Sequence, residues 1–312
     1  MAPQSFCIRP QPPASVCFSL AGTLSTRETT AISISPDGQT LASSYGKTIK
    51  LWNLGTSKQL TILSGHSDWV SATTFSPDGK TLASSSLDQT IRLWNLGTGK
   101  LLHTINGGRM TTLAFSPDGL ILAGGSRNHL WFDGQPGSSG VQLFDLKTGK
   151  GLLPLGSGDV ASLAFNPQGN ILAIGSINTQ MWNLKTRQLL HTLNSGKVTT
   201  LAFNPDGQTL VSGSSKIKVW NVSTGKLIHT FNSGSSDLTV SPDGRTLAVS
   251  NGGTINIWQL ETGKFLTTVS ASGYSNLSVA FGLDGKTLIS ASSDGIKIWQ
   301  PHILSSPGAG GG

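Results

Sequence analysis

Glutamate and cysteine are scarce in this chain of 312 residues. It has two glutamates, Glu28 and Glu261, and two cysteines, Cys7 and Cys17, which both lie near the N-terminus. Two such cysteines provide neither a disulfide framework nor a zinc site. With so few glutamates, we do not expect a pair of catalytic carboxylates or a metal site built from carboxylate oxygens. We therefore expect no cofactor and no bound metal.

Charged residues and long apolar runs are also sparse. Charged residues make up 12% of the chain, about half of the usual quarter. No stretch approaches the roughly 18 apolar residues of a membrane-spanning helix, and no apolar core follows an N-terminal charge as in a secretory signal. The hydrophobic content of 37% is too high for a disordered chain. We expect a folded cytoplasmic protein without a membrane span.

Seven copies of one unit fill the chain between residues 15 and 300. The tetrapeptide Ser-Pro-Asp-Gly occurs at 35–38 and recurs at 76–79, 116–119 and 241–244, and looser copies begin at residues 166, 204 and 282. A repeat length of about 40 residues is typical of arrays of small sheets. Each tetrapeptide is followed by an aromatic residue, and these are Trp52, Trp94, Phe144, Trp182, Trp220, Trp258 and Trp299.

Each copy has the pattern of four antiparallel strands, which the second copy shows best. Segments 71–75, 81–86, 90–96 and 101–105 are rich in apolar and β-branched residues, and Pro-Asp-Gly or Thr-Gly-Lys turns separate them. A single sheet of this kind cannot bury both of its faces, so the copies must pack face to face around an axis. We predict an all-β fold of seven four-stranded blades.

The N-terminal segment supplies the strand that the last copy lacks. The seventh copy ends with its third strand at Gln300, whereas an unpaired strand at about 16–24 precedes the first copy. Pairing the two would complete the seventh blade and cover its exposed edge. The predicted organisation is therefore a tail at 1–14, a propeller at 15–302 and a Ser/Pro/Gly-rich tail at 303–312.

Four short sequence patterns recur in the copies, namely Ser-Pro-Asp-Gly, Leu-Ala-Ser-Ser, Thr-Ile-Lys-Leu-Trp-Asn and Thr-Gly-Lys. They resemble the WD-repeat β-propeller family. The amino-acid sequences of the repeats are most similar to those of members of a bacterial, cyanobacterial-like type. Gly65 and His66 precede the second copy, which fits the family best. The resemblance implies that His66, Ser84, Asp88 and Trp94 form a buried hydrogen-bonded brace. It also implies a non-enzymatic scaffold for protein–protein interaction.

An enzyme of the lactonase type, or a small-ligand sensor, is the alternative, with its site in the central channel. The predicted innermost strands contain one ionisable residue, Asp237, and a lone aspartate forms neither a metal cage nor an acid–base pair. His103, His191 and His229 occupy one repeat position on outer strands, so they diverge and cannot meet at a metal ion. We find no nucleophile elbow, phosphate-binding loop or dinucleotide fingerprint.

The lower face of the propeller, which carries the Ser-Pro-Asp-Gly and Thr-Gly-Lys turns, is predicted to be rich in cations. This distribution favours an acidic protein partner through electrostatic steering, and we find no nucleic-acid-binding motif. Lys50, Lys218 and Lys297 precede blade tryptophans by two residues and are expected to lie between blades. The cations of the lower face are Lys58, Lys80, Lys100, Lys147, Lys150, Lys185, Arg187, Lys226, Arg245, Lys264 and Lys286.

The opposite, upper face is predicted to be the main binding surface of a monomeric propeller or of a subunit in a larger assembly. Trp69 and Trp131 are the only tryptophans outside the repeated blade position, and the third copy has an insertion at about 128–140. Insertions in repeat proteins map to one face, and tryptophan is a frequent hot-spot residue. The predicted partner-binding residues are Trp69, Trp131, Phe132, Tyr45, Leu87, Arg109, Asp159, Lys197, Tyr274 and Glu28.

Overall fold

The computed structural model describes residues 5–6, 16–24, 29–126, 140–156, 158–271, 278–292 and 295–303. Within these ranges every regular element is a β-strand, and the strands form seven antiparallel sheets. No described segment is a helix that could span a membrane. The predicted all-β fold of seven blades is confirmed.

Blades 1 to 3 each contain four strands that follow one another in the chain and in the sheet. The fourth strand of blade 3 is the shortest of these, and the insertion predicted in the third copy lies, apart from Gly140, outside the described residues. The strands are β3 (Thr29–Ile34), β4 (Thr40–Tyr45), β5 (Thr48–Asn53) and β6 (Lys58–Ser64); β7 (Val70–Phe75), β8 (Thr81–Ser86), β9 (Thr90–Asn95) and β10 (Leu101–Asn106); and β11 (Thr112–Phe115), β12 (Ile121–Ser126), β13 (Gly140–Asp145) and β14 (Lys150–Gly151).

Blades 4 to 6 repeat this plan with four consecutive strands each. Their strands are β15 (Ser162–Phe165), β16 (Ile171–Gly175), β17 (Thr179–Asn183) and β18 (Gln188–Leu193); β19 (Thr200–Phe203), β20 (Thr209–Gly213), β21 (Ile217–Asn221) and β22 (Leu227–Phe231); and β23 (Asp237–Val240), β24 (Thr246–Asn251), β25 (Thr254–Gln259) and β26 (Phe265–Ser270). The turns between first and second strands and between third and fourth strands all lie on the lower face, because successive strands are antiparallel.

Blade 7 combines the two ends of the chain. Its strands β27 (Ser278–Phe281), β28 (Leu288–Ser292) and β29 (Gly295–Ile303) are followed in the sheet by β2 (Val16–Leu24). Strand β2 pairs with β29 from Val16–Ile303 to Leu24–Ile296. A short strand β1 (Ser5–Phe6), inside the segment predicted as a tail, adds a fifth strand by pairing with Ser19 and Phe18.

The hydrophobic core lies between the blades. First strands of neighbouring blades contact each other in order around the ring, and β27 of the last blade contacts β3 of the first. Seven clusters of buried apolar side chains fill the spaces between blades; in one of them Leu51 and Leu63 of blade 1 meet Val70 and Leu82 of blade 2. Each fully buried side chain of this size contributes roughly 1.5–3 kcal/mol to folding.

The Ser-Pro-Asp-Gly turns depend on their own side chains. In blade 2, Ser76 Oγ donates to Asp78 Oδ1 (2.6 Å), which also accepts the Lys80 N–H (3.0 Å). Gly79 has a φ of +68°, a left-handed conformation that glycine adopts without steric cost. The hydrogen bond from Ser76 is the main reason that the pKa of Asp78 lies below its ordinary value.

Ring closure by β2 leads to a first prediction. Deletion of residues 1–26 removes Phe18 from the core between blades 6 and 7 and Leu24 from the core between blades 7 and 1. It also leaves the edge of β29 unpaired. We expect aggregation, or a fall in melting temperature on the order of 10 °C, because two buried side chains and a strand ladder are lost.

Deletion of residues 1–14 is the matched control, because it keeps β2 and should change the melting temperature little. Calorimetry or thermal circular dichroism measures both variants. If the 1–26 deletion melts like the full-length chain, β2 does not stabilise the ring.

Candidate functional site

The structure brings His66, Ser84, Asp88 and Trp94 together inside blade 2. Trp94 Nε1 donates to Ser84 Oγ (2.8 Å), and His66 lies within hydrogen-bond distance of Ser84 Oγ through Nε2 (2.8 Å) and of Asp88 Oδ2 through Nδ1 (2.9 Å). An ionised carboxylate only accepts, so Nδ1 carries the proton and Nε2 accepts from the Ser84 hydroxyl. The hydrogen bonds run in one direction, from Trp94 to Asp88.

Burial and hydrogen bonding set the charges of this brace. Burial lowers the pKa of His66 below its ordinary value of 6.5, although the hydrogen bond and charge of Asp88 oppose this shift. Burial also acts to raise the pKa of Asp88, but hydrogen bonds from Thr90, from His66 and from the Ser67 N–H outweigh it. The pKa of Asp88 is therefore well below its ordinary value. At neutral pH the brace holds a neutral imidazole beside a carboxylate.

Gly65 lies against the Arg92 and Trp94 side chains next to the brace. A Cβ atom at this position would collide with the Arg92 guanidinium and would lie 3.1 Å from the Trp94 ring. A larger residue at this point would have to displace the Arg92 guanidinium and shift the Trp94 ring slightly. This contact gives a physical reason for the Gly-His pair.

The tryptophan–serine part of the brace recurs in three other blades, with N–O distances of 2.8–2.9 Å. These pairs are Trp52–Ser43, Trp220–Ser212 and Trp299–Ser290. Blade 3 has Phe144 and therefore no indole donor, and Gly124 takes the place of the serine. In blade 6 Val249 stands there, and Trp258 Nε1 has no hydrogen-bond partner among the described residues.

The upper end of the central channel is a cavity of about 270 Å³ lined mainly by hydroxyl groups and by Asp237. Both carboxylate oxygens of Asp237 are engaged by neighbouring inner strands. Oδ1 accepts from Thr200 Oγ1 (3.1 Å), and Oδ2 accepts from Ser278 Oγ (2.7 Å) and from the Val279 N–H (3.1 Å). Burial raises the pKa of Asp237, and these hydrogen bonds oppose the rise. Asp237 thus joins blades 5, 6 and 7.

On the upper face the structure places three predicted residues side by side. Val70 N–H donates to the Gly46 carbonyl (2.8 Å), and Leu87 N–H donates to the Trp69 carbonyl (2.9 Å). These bonds bring the Tyr45 turn, Trp69 and Leu87 to adjoining positions on blades 1 and 2. The three side chains are 42%, 46% and 38% exposed, respectively. We call Tyr45, Trp69 and Leu87 the upper patch.

The other predicted upper-face residues lie farther along the ring or outside the described residues. Arg109 is half-buried in the loop between blades 2 and 3, whereas Asp159 and Lys197 are exposed in the next two such loops. Lys50, near the upper patch, lies over the Tyr45 ring with Nζ 4.9 Å from the centroid. Trp131, Phe132, Glu28 and Tyr274 fall outside the described residues.

The eleven predicted cations lie in the lower-face turns or, as Lys58 and Lys150 do, at the first strand residue after such a turn, and all except Arg187 are exposed. Arg187 Nη2 donates to the Leu153 carbonyl of the preceding blade (2.6 Å). The same turns carry eight carboxylates, so the lower face is not uniformly basic. These acids are Asp37, Asp78, Asp118, Asp145, Asp206, Asp243, Glu261 and Asp284.

Two outer-strand histidines connect neighbouring blades, a role that the sequence analysis missed. His191 Nε2 donates to the Ser223 carbonyl of blade 5 (3.1 Å), and His229 Nε2 donates to the Glu261 carbonyl of blade 6 (2.8 Å). The His-Thr pair that recurs at His103, His191 and His229 was the available signal, but the acceptor is a backbone atom of the next repeat. In the described ranges, no three His, Cys, Asp or Glu side chains come together to hold a metal ion.

Fold and brace together define a repeat protein of the β-propeller class. The family described as WD domain, G-beta repeat matches residues 15–53, 57–95, 99–131, 187–221 and 225–259. Because these segments cover more than half of the chain, the chain belongs to this family, as the sequence resemblance indicated. The first two segments each join the fourth strand of one blade to three strands of the next. No curated protein matches the chain.

The brace yields a prediction about stability. Replacing Ser84 with alanine leaves both the Trp94 N–H and His66 Nε2 without their partner, so we expect a loss of about 2–3 kcal/mol in the free energy of unfolding. Ser212→Ala is the matched control in blade 5, where the Trp220 N–H loses its partner and a long contact with the Lys218 carbonyl (3.5 Å) is lost, and it should cost about 1 kcal/mol. Urea unfolding measures both, and equal losses would contradict a role for His66 in the brace.

The lowered pKa of His66 predicts a pH dependence. Below about pH 6.5 the unfolded chain takes up a proton at His66 that the folded protein resists, so stability falls as the pH falls. His66→Gln does not titrate in this range. The stability advantage of the wild type over His66→Gln should therefore shrink between about pH 7.5 and pH 5. Denaturation midpoints measured over this range test the prediction, and a constant difference contradicts it.

Proposed function

We propose that this chain is a non-enzymatic scaffold that binds a protein partner mainly on its upper face, around the channel mouth. Membership in the WD domain family supports the scaffold role, because members of this family are commonly interaction platforms and typically non-enzymatic. The choice of the upper face rests on the upper patch, where a tryptophan, a tyrosine and a leucine are exposed on segments that backbone hydrogen bonds hold together. Exposed aromatic side chains are frequent interface anchors.

The brace of blade 2 holds the loop that presents Trp69. Asp88 Oδ2, which is bonded to His66, also accepts the Ser67 N–H (3.0 Å), and Ser86 Oγ donates to the Asp68 carbonyl (3.0 Å). With the Leu87–Trp69 backbone bond, three hydrogen bonds hold this loop on the second strand and second turn of blade 2. A surface held in place before binding loses little conformational entropy when the partner arrives.

Mixed polar groups surround the upper patch in this proposal. Lys47 and Lys50 lie beside Tyr45, and Arg109, Asp159 and Lys197 continue the rim around the channel mouth. A polar rim around an apolar centre is the usual organisation of a protein interface. Trp131, Phe132, Tyr274 and Glu28 remain predicted members of this surface on sequence grounds alone.

The channel favours the scaffold over the lactonase-type or ligand-sensing alternative. Both oxygens of Asp237 are used to join three blades, so this carboxylate has a structural role in the described channel. An acidic partner on the lower face is a secondary proposal, supported by the exposed lysines of the turns. The cytoplasmic location stays a prediction.

The upper patch predicts the effect of one substitution. Trp69→Ala should weaken partner binding by about 2 kcal/mol and leave the melting temperature nearly unchanged, because the side chain is 46% exposed. Leu153→Ala is the control, since Leu153 is 72% exposed on the outer side of blade 3. The measurement is the affinity for a partner captured by cross-linking and affinity purification from the native source.

Photo-cross-linking locates the interface independently. A photoreactive amino acid at position 87 should capture the partner, whereas one at position 153 should not. Capture from position 153 alone, or full partner affinity in Trp69→Ala, would place the interface elsewhere.

A further inference from the structure

The lower face has a groove of about 680 Å³ between blades 5 and 6, apart from the proposed upper-face site. Its apolar lining includes Val219 and Leu260, which are buried, and Ile228, which is 43% exposed. Volumes of 300–1,000 Å³ are typical of binding clefts. The groove therefore offers a large apolar side chain a place to insert.

Three carboxylates line this apolar groove. Asp206 and Asp243 come from the first turns of blades 5 and 6, and Glu261 comes from the second lower turn of blade 6. Arg245 is the single lysine or arginine in the lining. Among the described residues no lysine or arginine lies within 4.0 Å of these carboxylates. None of the three carboxylates is therefore ion-paired within the described part of the chain, and all three are exposed beside the apolar groove. The charge of Arg245 partly offsets that of Asp243.

The walls of the groove are joined to each other. His229 of β22 donates to the Glu261 carbonyl (2.8 Å), so the backbone of Glu261 belongs to the wall while its side chain is exposed. Asn204 Nδ2 of blade 5 makes a longer contact with the Gly244 carbonyl of blade 6 (3.4 Å). These links preform the groove, which limits the conformational cost of binding.

The repeat provides a comparison groove at the equivalent place between blades 2 and 3. It has a volume of about 510 Å³ and is lined by Leu93, Leu102, His103 and two turn aspartates. At the position of Glu261, however, blade 3 has Lys147. In all seven copies Glu261 is the only acid at this position. The two grooves thus occupy the same place in the repeat, and the residue at this turn position has opposite charge in blades 3 and 6. Blade 3 also has Leu120 where blade 6 has Arg245.

We propose that the groove between blades 5 and 6 binds a basic segment of a protein, in which arginine or lysine stands next to a branched apolar residue. The apolar residue contacts Ile228 and Val219, and the cation lies between Glu261 and the turn aspartates. This site is separate from the upper patch and goes beyond the function proposed above. Its affinity decreases with salt, because charge attraction contributes to it.

The test uses a set of short synthetic peptides in which arginine or lysine alternates with leucine, isoleucine or valine. Isothermal titration calorimetry with the full-length protein should show binding for at least one peptide, and the acidic versions with glutamate should not bind. Glu261→Lys should weaken binding by at least about tenfold. Its melting temperature should not change, because the histidine bond uses the backbone carbonyl.

The reciprocal variant Lys147→Glu should create or strengthen binding at the groove between blades 2 and 3. Trp69→Ala should leave peptide affinity unchanged, so failure of the upper-face proposal and failure of this one are distinguishable. The inference is overturned if no basic peptide binds up to about 1 mM, if acidic peptides bind equally well, or if Glu261→Lys binds like the wild type.

Discussion

Burial of both faces of each sheet is the constraint on which this structure depends. A four-stranded blade cannot cover its own apolar faces, so each of the seven cores lies between two blades. Each family segment begins with the fourth strand of one blade and continues into the next blade, so the segments are offset from the blades by one strand. The same offset places β2 in blade 7, where Phe18 and Leu24 belong to two different cores. Stability and ring closure therefore have a common origin.

In blade 2 a series of buried hydrogen bonds holds a loop on the surface of the propeller. This series of hydrogen bonds begins at the buried Trp94 indole and ends at Asp88. Asp88 Oδ2 also accepts the N–H of Ser67, which lies in the loop of Trp69. Other blades keep only the tryptophan–serine pair, as in Trp220–Ser212, or lose it, as in blade 6. In our proposal, the complete brace lies in the blade that carries Trp69 and Leu87 of the upper patch, and it fixes the geometry of the Trp69 loop.

The lower face illustrates what a repeat leaves free to vary. Turn geometry is supplied by serine–aspartate caps and by glycine with positive φ, as at Ser76, Asp78 and Gly79. The residue two positions after the end of the third strand is Lys147 in blade 3, Ser223 in blade 5 and Glu261 in blade 6, so the charge of this turn position changes from copy to copy. Equivalent grooves in different blades can therefore differ in the charge of the turn residue beside them.

Local patterns in the sequence determined the strands, the turns and the number of blades, because strand periodicity and turn chemistry act over a few neighbouring residues. The family resemblance also indicated His66, Ser84, Asp88 and Trp94 as one set. Only the tertiary structure decided which distant residues meet. It assigned His229 a backbone carbonyl 32 residues away and brought Tyr45 next to Trp69. Such contacts cross the boundary between blades, where packing rather than position along the chain sets the distance between two groups.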